Sequence, residues 1–129
     1  MEELTYNKLE VGKRFAERDF VVEPEVVRRF KQATQDPTPD DGVAPTGLAA
    51  VFARLAYLKE YHMPGGGVLA RESLAFHGPF VIGETLRLQA EVAEKYVRRE
   101  RPYATIAVKA LDPRNSVVCT GSITLIWPK

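Results

Sequence analysis

The sequence is poor in several features that would otherwise restrict its function. Its one cysteine, Cys119, cannot form an internal disulfide, so we expect a reducing, cytoplasmic environment. The formal net charge of +1 gives no electrostatic reason to expect nucleic acid or an anionic membrane as a partner. The longest apolar run, Leu48 to Ala53, is far shorter than a membrane span, and the first residues lack the pattern of a signal peptide. Because no cluster of cysteine and histidine is present, we expect no metal and no cofactor.

The length and composition of the chain are those of one globular domain. Its 129 residues are 45% hydrophobic and 27% charged. A chain of this size buries enough surface to form a core without disulfides or metals. We therefore expect a single domain spanning residues 1–129.

Two helices are predicted in the first half of the chain. Residues 23–34 carry an apolar stripe, with Pro24 in the first turn and acidic residues near the start, which favours a helix. An acidic, proline-rich loop follows at 35–46. Residues 47–60 are then apolar on nearly all sides as far as Arg54, which is typical of a long buried helix. Thr46 is its expected N-cap.

The second half of the chain is predicted to form four antiparallel strands. Residues 86–92, 104–110 and 117–127 alternate apolar and polar side chains, as strands with one covered face do, and residues 68–77 form the first strand. Turns are expected at 80–84 and 112–115. A curved antiparallel sheet wrapped around the long central helix would cover both apolar surfaces. This arrangement is an α+β architecture, the hotdog fold.

Three motifs resemble those of the MaoC-like family, which includes (R)-specific enoyl-thioester hydratases and dehydratases. They are a Pro-Gly-rich turn, a strand ending in Phe-x-x-Pro, and a Val-x-x-Gly-Glu turn into a long strand, found here at Pro64–Gly67, Phe76–Pro79 and Val81–Glu84. The opening VGKRF and the closing GSITLIWP fit the same pattern, so the resemblance covers nearly the whole chain. It implies the hotdog fold and a thioester of coenzyme A or acyl carrier protein as ligand. It also implies a homodimer, or a heterodimer with another hotdog subunit.

The catalytic segment of that family is an aspartate, four intervening residues and a histidine. Asp36 matches the family's aspartate, Pro39 its proline, and Asp41 stands in place of the histidine. The resemblance implies catalytic roles for Asp36, Asp41 and Gly47, the last because a thioester carbonyl would approach the helix start there. The residues expected to bind the substrate are Pro39, Thr46, Leu48 and Gly66.

Hydration of an enoyl thioester requires two kinds of group. Backbone N–H groups at a helix start polarise the carbonyl, and a group that exchanges protons near pH 7 activates water. Two close carboxylates would not both stay ionised, so we expect the pKa of either Asp36 or Asp41 to be raised, which would provide an acid. The alternative interpretation is structural, because aspartates beside proline and glycine commonly cap turns.

Three functions fit these features. The first is a MaoC-like thioester-binding protein, either a divergent hydratase or dehydratase or the non-catalytic subunit of a heteromeric one. The second is an acyl-CoA thioesterase, and the third is an acyl-binding or assembly module without chemistry. His62 and His77 are interpreted as ordinary surface or packing residues. The basic cluster Lys95–Arg101 is interpreted as a solvated hairpin end, with contact to coenzyme A phosphates as the functional alternative.

Overall fold

The computed structural model describes residues 1–128 and contains one five-stranded antiparallel sheet with two α-helices. In chain order the elements are β1 (Glu2–Glu3), β2 (Arg18–Val21), α1 (Pro24–Ala33), α2 (Ala49–Leu55), β3 (Tyr61–His62), β4 (Val68–Phe76), β5 (Thr85–Arg98), β6 (Arg101–Leu111) and β7 (Val117–Ile126). The main sheet has the order β2-β5-β6-β7-β4, while β1 and β3 form a separate parallel pair. The predicted α+β class is confirmed.

All four predicted strands are present, and one is longer than expected. β5 runs six residues past Val92, and its register shifts between Val92 and Glu94, where the apolar alternation ends. Beyond this point the strand no longer covers the core, because most of its side chains there are exposed. Pairing with β6 nevertheless continues to the rung between Arg98 and Arg101. Alternation therefore predicted the core-facing part of the strand but not the projecting part.

The inner face of the sheet forms the core together with α2. Its buried side chains lie on adjacent rungs of three strands: Leu86, Leu88, Ala90 and Val92 of β5, Ala104, Ile106, Val108 and Ala110 of β6, and Cys119, Ile123 and Leu125 of β7. Phe52 of α2 packs against this face, and its ring centroid lies 5.5 Å from that of Phe20 and 5.1 Å from that of Phe80. These contacts bring the end of β4 and the segment at Phe80 close to the helix.

The central helix is shorter than predicted. A 3₁₀ turn at Thr46–Leu48 leads into α2, which ends at Leu55, whereas a helix over 47–60 was expected. The chain leaves the helix early because Tyr61 and His62 pair with β1, and Glu60 O also accepts a hydrogen bond from Glu2 N (3.3 Å). No helix among residues 1–128 has the length and apolar character needed to span a bilayer.

Two further details of this helix prediction were wrong. Thr46 does not cap the helix through its side chain, because it lies inside the 3₁₀ turn and no side-chain cap bond is formed there. The helix is also not buried all round: Ala50, Val51 and Arg54 are exposed. One face of α2 is therefore bare in the single chain.

Gly121 of β7 leaves room for the side chains of Leu74 in β4 and Val108 in β6, so we predict that a larger residue there destabilises the protein. A Cβ added at Gly121 would lie 2.8 Å from Leu74 Cδ2, 3.0 Å from Val108 Cγ2 and 3.1 Å from the Ser73 carbonyl oxygen. We expect Gly121→Ala to lower the free energy of unfolding by about 1–3 kcal/mol through overpacking, measured by urea denaturation. Ser122→Ala, on the neighbouring position of the same strand, is the matched control and should have a much smaller effect. Equal stability of Gly121→Ala and wild type would contradict this packing.

Candidate functional site

The acidic loop begins at a well-formed end of α1. Gln35 adopts a positive φ of 55°, and its N–H donates to Gln32 O (3.2 Å), while Asp36 N–H donates to Lys31 O (2.9 Å). These two bonds are those of a Schellman motif, here with glutamine at the left-handed position that glycine usually occupies. The helix end therefore holds the backbone of Asp36 in a defined place.

The carboxylate of Asp36 is engaged by its own loop. It is half-buried, and its Oδ1 accepts a hydrogen bond from Thr38 N (2.9 Å). Lys31 donates through Nζ to the carbonyl oxygen of Thr38 and so brings its positive charge close to the carboxylate. Hydrogen bonding from the Thr38 side chain and from its backbone N–H, and secondarily the charge of Lys31, lowers the pKa of Asp36. The expectation of a raised pKa in this pair is therefore wrong for Asp36, which is ionised at neutral pH.

The other two aspartates of the loop cap turns. Asp40 Oδ1 accepts a hydrogen bond from Gly42 N (2.9 Å), and Asp41 Oδ1 accepts one from Val43 N (3.1 Å). Both residues are exposed, as is the neighbouring Pro39. The geometry is that of the structural interpretation, in which a short polar side chain satisfies a backbone donor two residues ahead.

Backbone hydrogen bonds tie the end of this loop to the Phe80–Ile82 segment. Ala44 N donates to Phe80 O (2.8 Å), Ile82 N donates to Gly42 O (2.9 Å), and Val43 forms an isolated bridge with Val81. The loop is thus joined to the predicted Val-x-x-Gly-Glu turn, which follows β4. These bonds bring the acidic loop and the start of the central helix to one end of the sheet.

The start of the central helix is partly covered by α1. Thr46 and Gly47 are exposed, but a Cβ added at Gly47 would lie 3.2 Å from Cζ of Phe30, so this glycine makes room for the aromatic ring. Leu48, expected to bind substrate, is 1% exposed and belongs to the core of the single chain. A short turn with an exposed Thr46-Gly47 pair thus lies beside the acidic loop, with Phe30 between the two helices.

A groove of about 610 Å³ lies between α1 and the acidic loop. Its apolar lining includes Val27 and Ile82, and Asp36 and Lys31 are on its rim. Thr46, Gly47 and Leu48 do not line it. In the single chain, therefore, the groove that contains the Asp36 carboxylate is not a tunnel leading to the helix start.

The structure does not bring every predicted site residue together. Gly66 precedes β4, whereas the acidic loop is tied to the segment that follows β4, so a nine-residue strand of about 30 Å separates them. His62 lies in β3, and His77 Nε2 is 2.9 Å from Thr120 Oγ1. Among residues 1–128, neither histidine forms a hydrogen bond with Asp36. The described residues, 1–128, also contain no cluster of three or more potential metal-ligating side chains.

The bare surface beside the site was not predicted from the sequence. β4 is an outer strand of the sheet, and its residues are exposed or half-buried along its whole length, including Leu69 (55%) and Phe76 (45%). Val51 of α2 is 42% exposed. The irregular order of apolar residues in VLARESLAF was the available signal, because it lacks the clean alternation of β5 and β6.

Comparison with known proteins establishes the fold. No family model and no curated protein sequence matches the chain. Among solved structures, it resembles R-hydratase PhaJ1 from Pseudomonas aeruginosa (TM-score 0.80, 21% identity, 96% of this chain and 85% of that one). It also resembles a MaoC-like dehydratase from Rhodospirillum rubrum (0.76, 20%, 98% and 98%). A third neighbour is the HadBC (3R-hydroxyacyl-ACP dehydratase) complex from Mycobacterium tuberculosis (0.74, 20%, 90% and 96%). The chain has the hotdog fold, and the predicted likeness to MaoC-like proteins is confirmed at the level of structure.

The loop geometry predicts how Asp36 titrates. The pH at the midpoint of the Asp36 titration, followed by NMR of the side-chain carboxyl carbon, should lie below the ordinary aspartate pKa of 3.8. Thr38→Val removes the hydroxyl donor but keeps the amide and should raise the midpoint, whereas Thr34→Val, the same change at a hydroxyl that bonds Phe30 O, should not. Since the folded-state pKa is lowered, the stabilisation by ionised Asp36 is present above the unfolded pKa and is lost as the pH falls through the folded value. A midpoint above 3.8 would instead restore the acid role.

Proposed function

We propose that this hotdog chain is the thioester-binding, non-catalytic subunit of a heteromeric (R)-specific hydratase or dehydratase. The observation that carries the proposal is the state of Asp36, whose pKa is lowered and whose carboxylate is hydrogen-bonded by Thr38 rather than by a histidine. An ionised carboxylate can orient a ligand or a water molecule. It does not exchange protons near pH 7 as hydration requires, so a partner chain supplies that group.

The start of the central helix is the proposed place for the thioester carbonyl. Thr46 and Gly47 are exposed there, and the first N–H groups of a helical segment have no partners within it. We propose that these N–H groups polarise the carbonyl, with Pro39 beside the acyl chain. Asp41 takes the place of the family's histidine and caps the turn at Val43.

The partner surface of the proposal is the free edge of β4. His77 N–H donates to Val118 O, and backbone N–H groups alternate in direction along a strand. The N–H groups of odd-numbered residues in β4 therefore point towards β7, and those of Glu72, Leu74 and Phe76 point outward. A row of unpaired backbone groups flanked by exposed apolar side chains is a template for pairing with another chain. The HadBC neighbour, a heteromeric complex by its description, supports a partner of the same fold.

Edge pairing would also explain why Gly66 and the acidic loop are far apart in one chain. Two β4 strands paired antiparallel by a two-fold axis place the start of one beside the end of the other. The Gly66 turn of a second chain would then lie next to Phe76, at the end of the sheet where the acidic loop and helix start meet. The complete ligand site is therefore proposed to lie between two subunits.

The charges on β4 restrict the registers in which two copies of the chain could pair. If two copies of β4 pair about a two-fold axis normal to the sheet, inner side chains stay on the inner face. If that axis passes through Glu72, the Glu72 side chains of the two copies lie opposite each other. Centring on Arg71 would oppose two arginines, and like charges directly opposite are destabilising. Registers centred on any other residue of β4, such as Ser73, avoid both arrangements. A different hotdog chain has no such restriction.

The function is tested by mixing the protein with crotonyl-coenzyme A and following enoyl absorbance, release of free thiol and binding. We expect binding without either chemical signal, because Asp36 is ionised and its carboxylate is bonded within its own loop rather than to a histidine. Thiol release would identify a thioesterase.

The same assay separates an autonomous hydratase from the proposed subunit by means of two variants. Asp36→Asn removes the proposed site carboxylate, and Asp40→Asn removes one charge from the same loop as the matched control. If enoyl absorbance falls with the wild type and with Asp40→Asn, but not with Asp36→Asn, the chain is itself a hydratase and the non-catalytic role is wrong. Absence of both chemistry and binding would remove the thioester function altogether.

The partner surface is tested by the oligomeric state. Purified alone, the chain of 14.4 kDa should self-associate through the exposed edge and show twice that mass by light scattering. Glu72→Pro removes an outward-facing N–H without breaking a bond to β7, so we expect it to yield a folded monomer. Glu72→Gln keeps that donor and serves as the control, which should remain dimeric. A Glu72→Pro variant that remains dimeric would exclude this edge, whereas a wild type that is monomeric at high concentration would exclude only the homodimer.

A further inference from the structure

The hairpin between β5 and β6 ends in a projecting basic tip, residues Val97–Arg101, here called the arginine tip. Its two turn residues, Arg99 and Glu100, both have positive φ, 50° and 65°. The pairing of β6 with β7 begins only at Tyr103 opposite Ile126, so the arginine tip stands beyond the end of β7. The tip is convex, and none of its residues lines the groove beside α1.

The cations of the arginine tip are free, unlike the lysine at its base. Lys95 Nζ donates to Leu9 O (2.8 Å) and lies 4.5 Å from the centroid of the Tyr6 ring, so its charge serves the fold. Arg98, Arg99 and Arg101 are exposed and form no side-chain hydrogen bond or ion pair within residues 1–128. Three arginines and one glutamate give the tip a formal charge of +2, more than the +1 of the whole chain.

The base of the hairpin is rigidly supported although its tip is free. Tyr96 and Tyr103 stack with ring centroids 5.1 Å apart, and the Tyr6 hydroxyl lies 3.1 and 2.9 Å from their carbonyl oxygens. Trp127 N–H donates to Pro102 O (2.8 Å). A rigid support lowers the entropy lost when a surface element binds a partner. The fold thus holds in place the backbone from which the exposed arginine side chains project.

We propose that the arginine tip docks the acidic surface of the carrier protein that delivers the thioester. The inference rests on the proposed thioester function and specifies the carrier. A free nucleotide is bound in concave sites, whereas the tip is convex and adds the exposed side chain of Val97 (68%) to its arginines. Arginine and apolar side chains together are typical of protein interfaces, and complementary charge speeds and orients docking.

The position of the arginine tip suits a site shared between two subunits. Within one chain, β5 separates the tip from the acidic loop by fourteen residues, about 45 Å. When two β4 edges pair antiparallel, the sheet of the second chain runs in the opposite direction. The arginine tip of the second chain then lies at the same end of the assembly as the acidic loop of the first chain. There it lies only two to three strands, roughly 10–15 Å, from the shared edge. One subunit would dock the carrier while the other receives its acyl chain.

The test compares two carriers of one acyl group. Binding of crotonyl-coenzyme A and of crotonyl acyl carrier protein is measured by calorimetry at low and high salt, for the wild type and for Arg98→Gln/Arg99→Gln/Arg101→Gln. The matched control removes three exposed cations elsewhere, Arg14→Gln/Arg29→Gln/Lys109→Gln. We expect the tip variant to bind the carrier protein about tenfold more weakly at low salt and to lose most of its salt dependence, with coenzyme A binding unchanged.

The outcomes are separable. Carrier-protein binding that is unchanged in the tip variant, or weakened equally in the control variant, overturns the docking role. Equal weakening for both crotonyl carriers also overturns it, because the tip would then hold phosphate groups common to both. If the wild type binds neither carrier, the proposed thioester function itself fails and this inference fails with it.

Discussion

One seven-residue helix packs on the inner face of a five-stranded sheet, and the helix is narrower than the sheet. This difference in width determines much of the structure. The outer strands of such a sheet lie roughly 19 Å apart, whereas a helix with its side chains is about 10 Å wide. α2 packs on β5 and β6, near the middle of the sheet. β2 is covered from the other side of the helix by the Phe20–Phe52 contact, but β4 receives no comparable cover. The chain therefore folds around its core and leaves one edge bare.

The bare edge and the incomplete site have the same origin. One face of α2 exposes Val51 and Arg54, and β4 exposes apolar side chains and unpaired backbone groups. The segment before β4 carries Gly66, and the segment after it is bonded to the acidic loop, so the motifs that suggested a site lie at opposite ends of one strand. Only an antiparallel partner brings such ends together. In this fold the interface and the ligand site are thus proposed to be one surface.

The sequence predicted what local periodicity determines and missed what distant contacts determine. Alternation in β5, β6 and β7 identified the strands and their inner faces, because burial on one face imposes that period directly. The length of α2 could not be predicted, since it ends where Tyr61 leaves to pair with a strand at the other end of the chain. The exposure of β4 depends on strand order, which composition does not contain. The lowered pKa of Asp36 was within reach, because Asp-x-Thr beside proline favours the turn in which Thr38 donates to the carboxylate.

The proposed replacement of histidine by Asp41 would change more than the supply of protons. Hydration of an enoyl thioester develops negative charge on the carbonyl oxygen, and catalysis depends on fixed positive dipoles that face this charge. At the proposed site the ionised carboxylate of Asp36 would oppose that charge, and Lys31 bonds only the turn at Thr38. The same carboxylate would be harmless to a bound but unreacting thioester, which is uncharged at its carbonyl. This electrostatic argument is a second reason for proposing that a partner chain performs the chemistry.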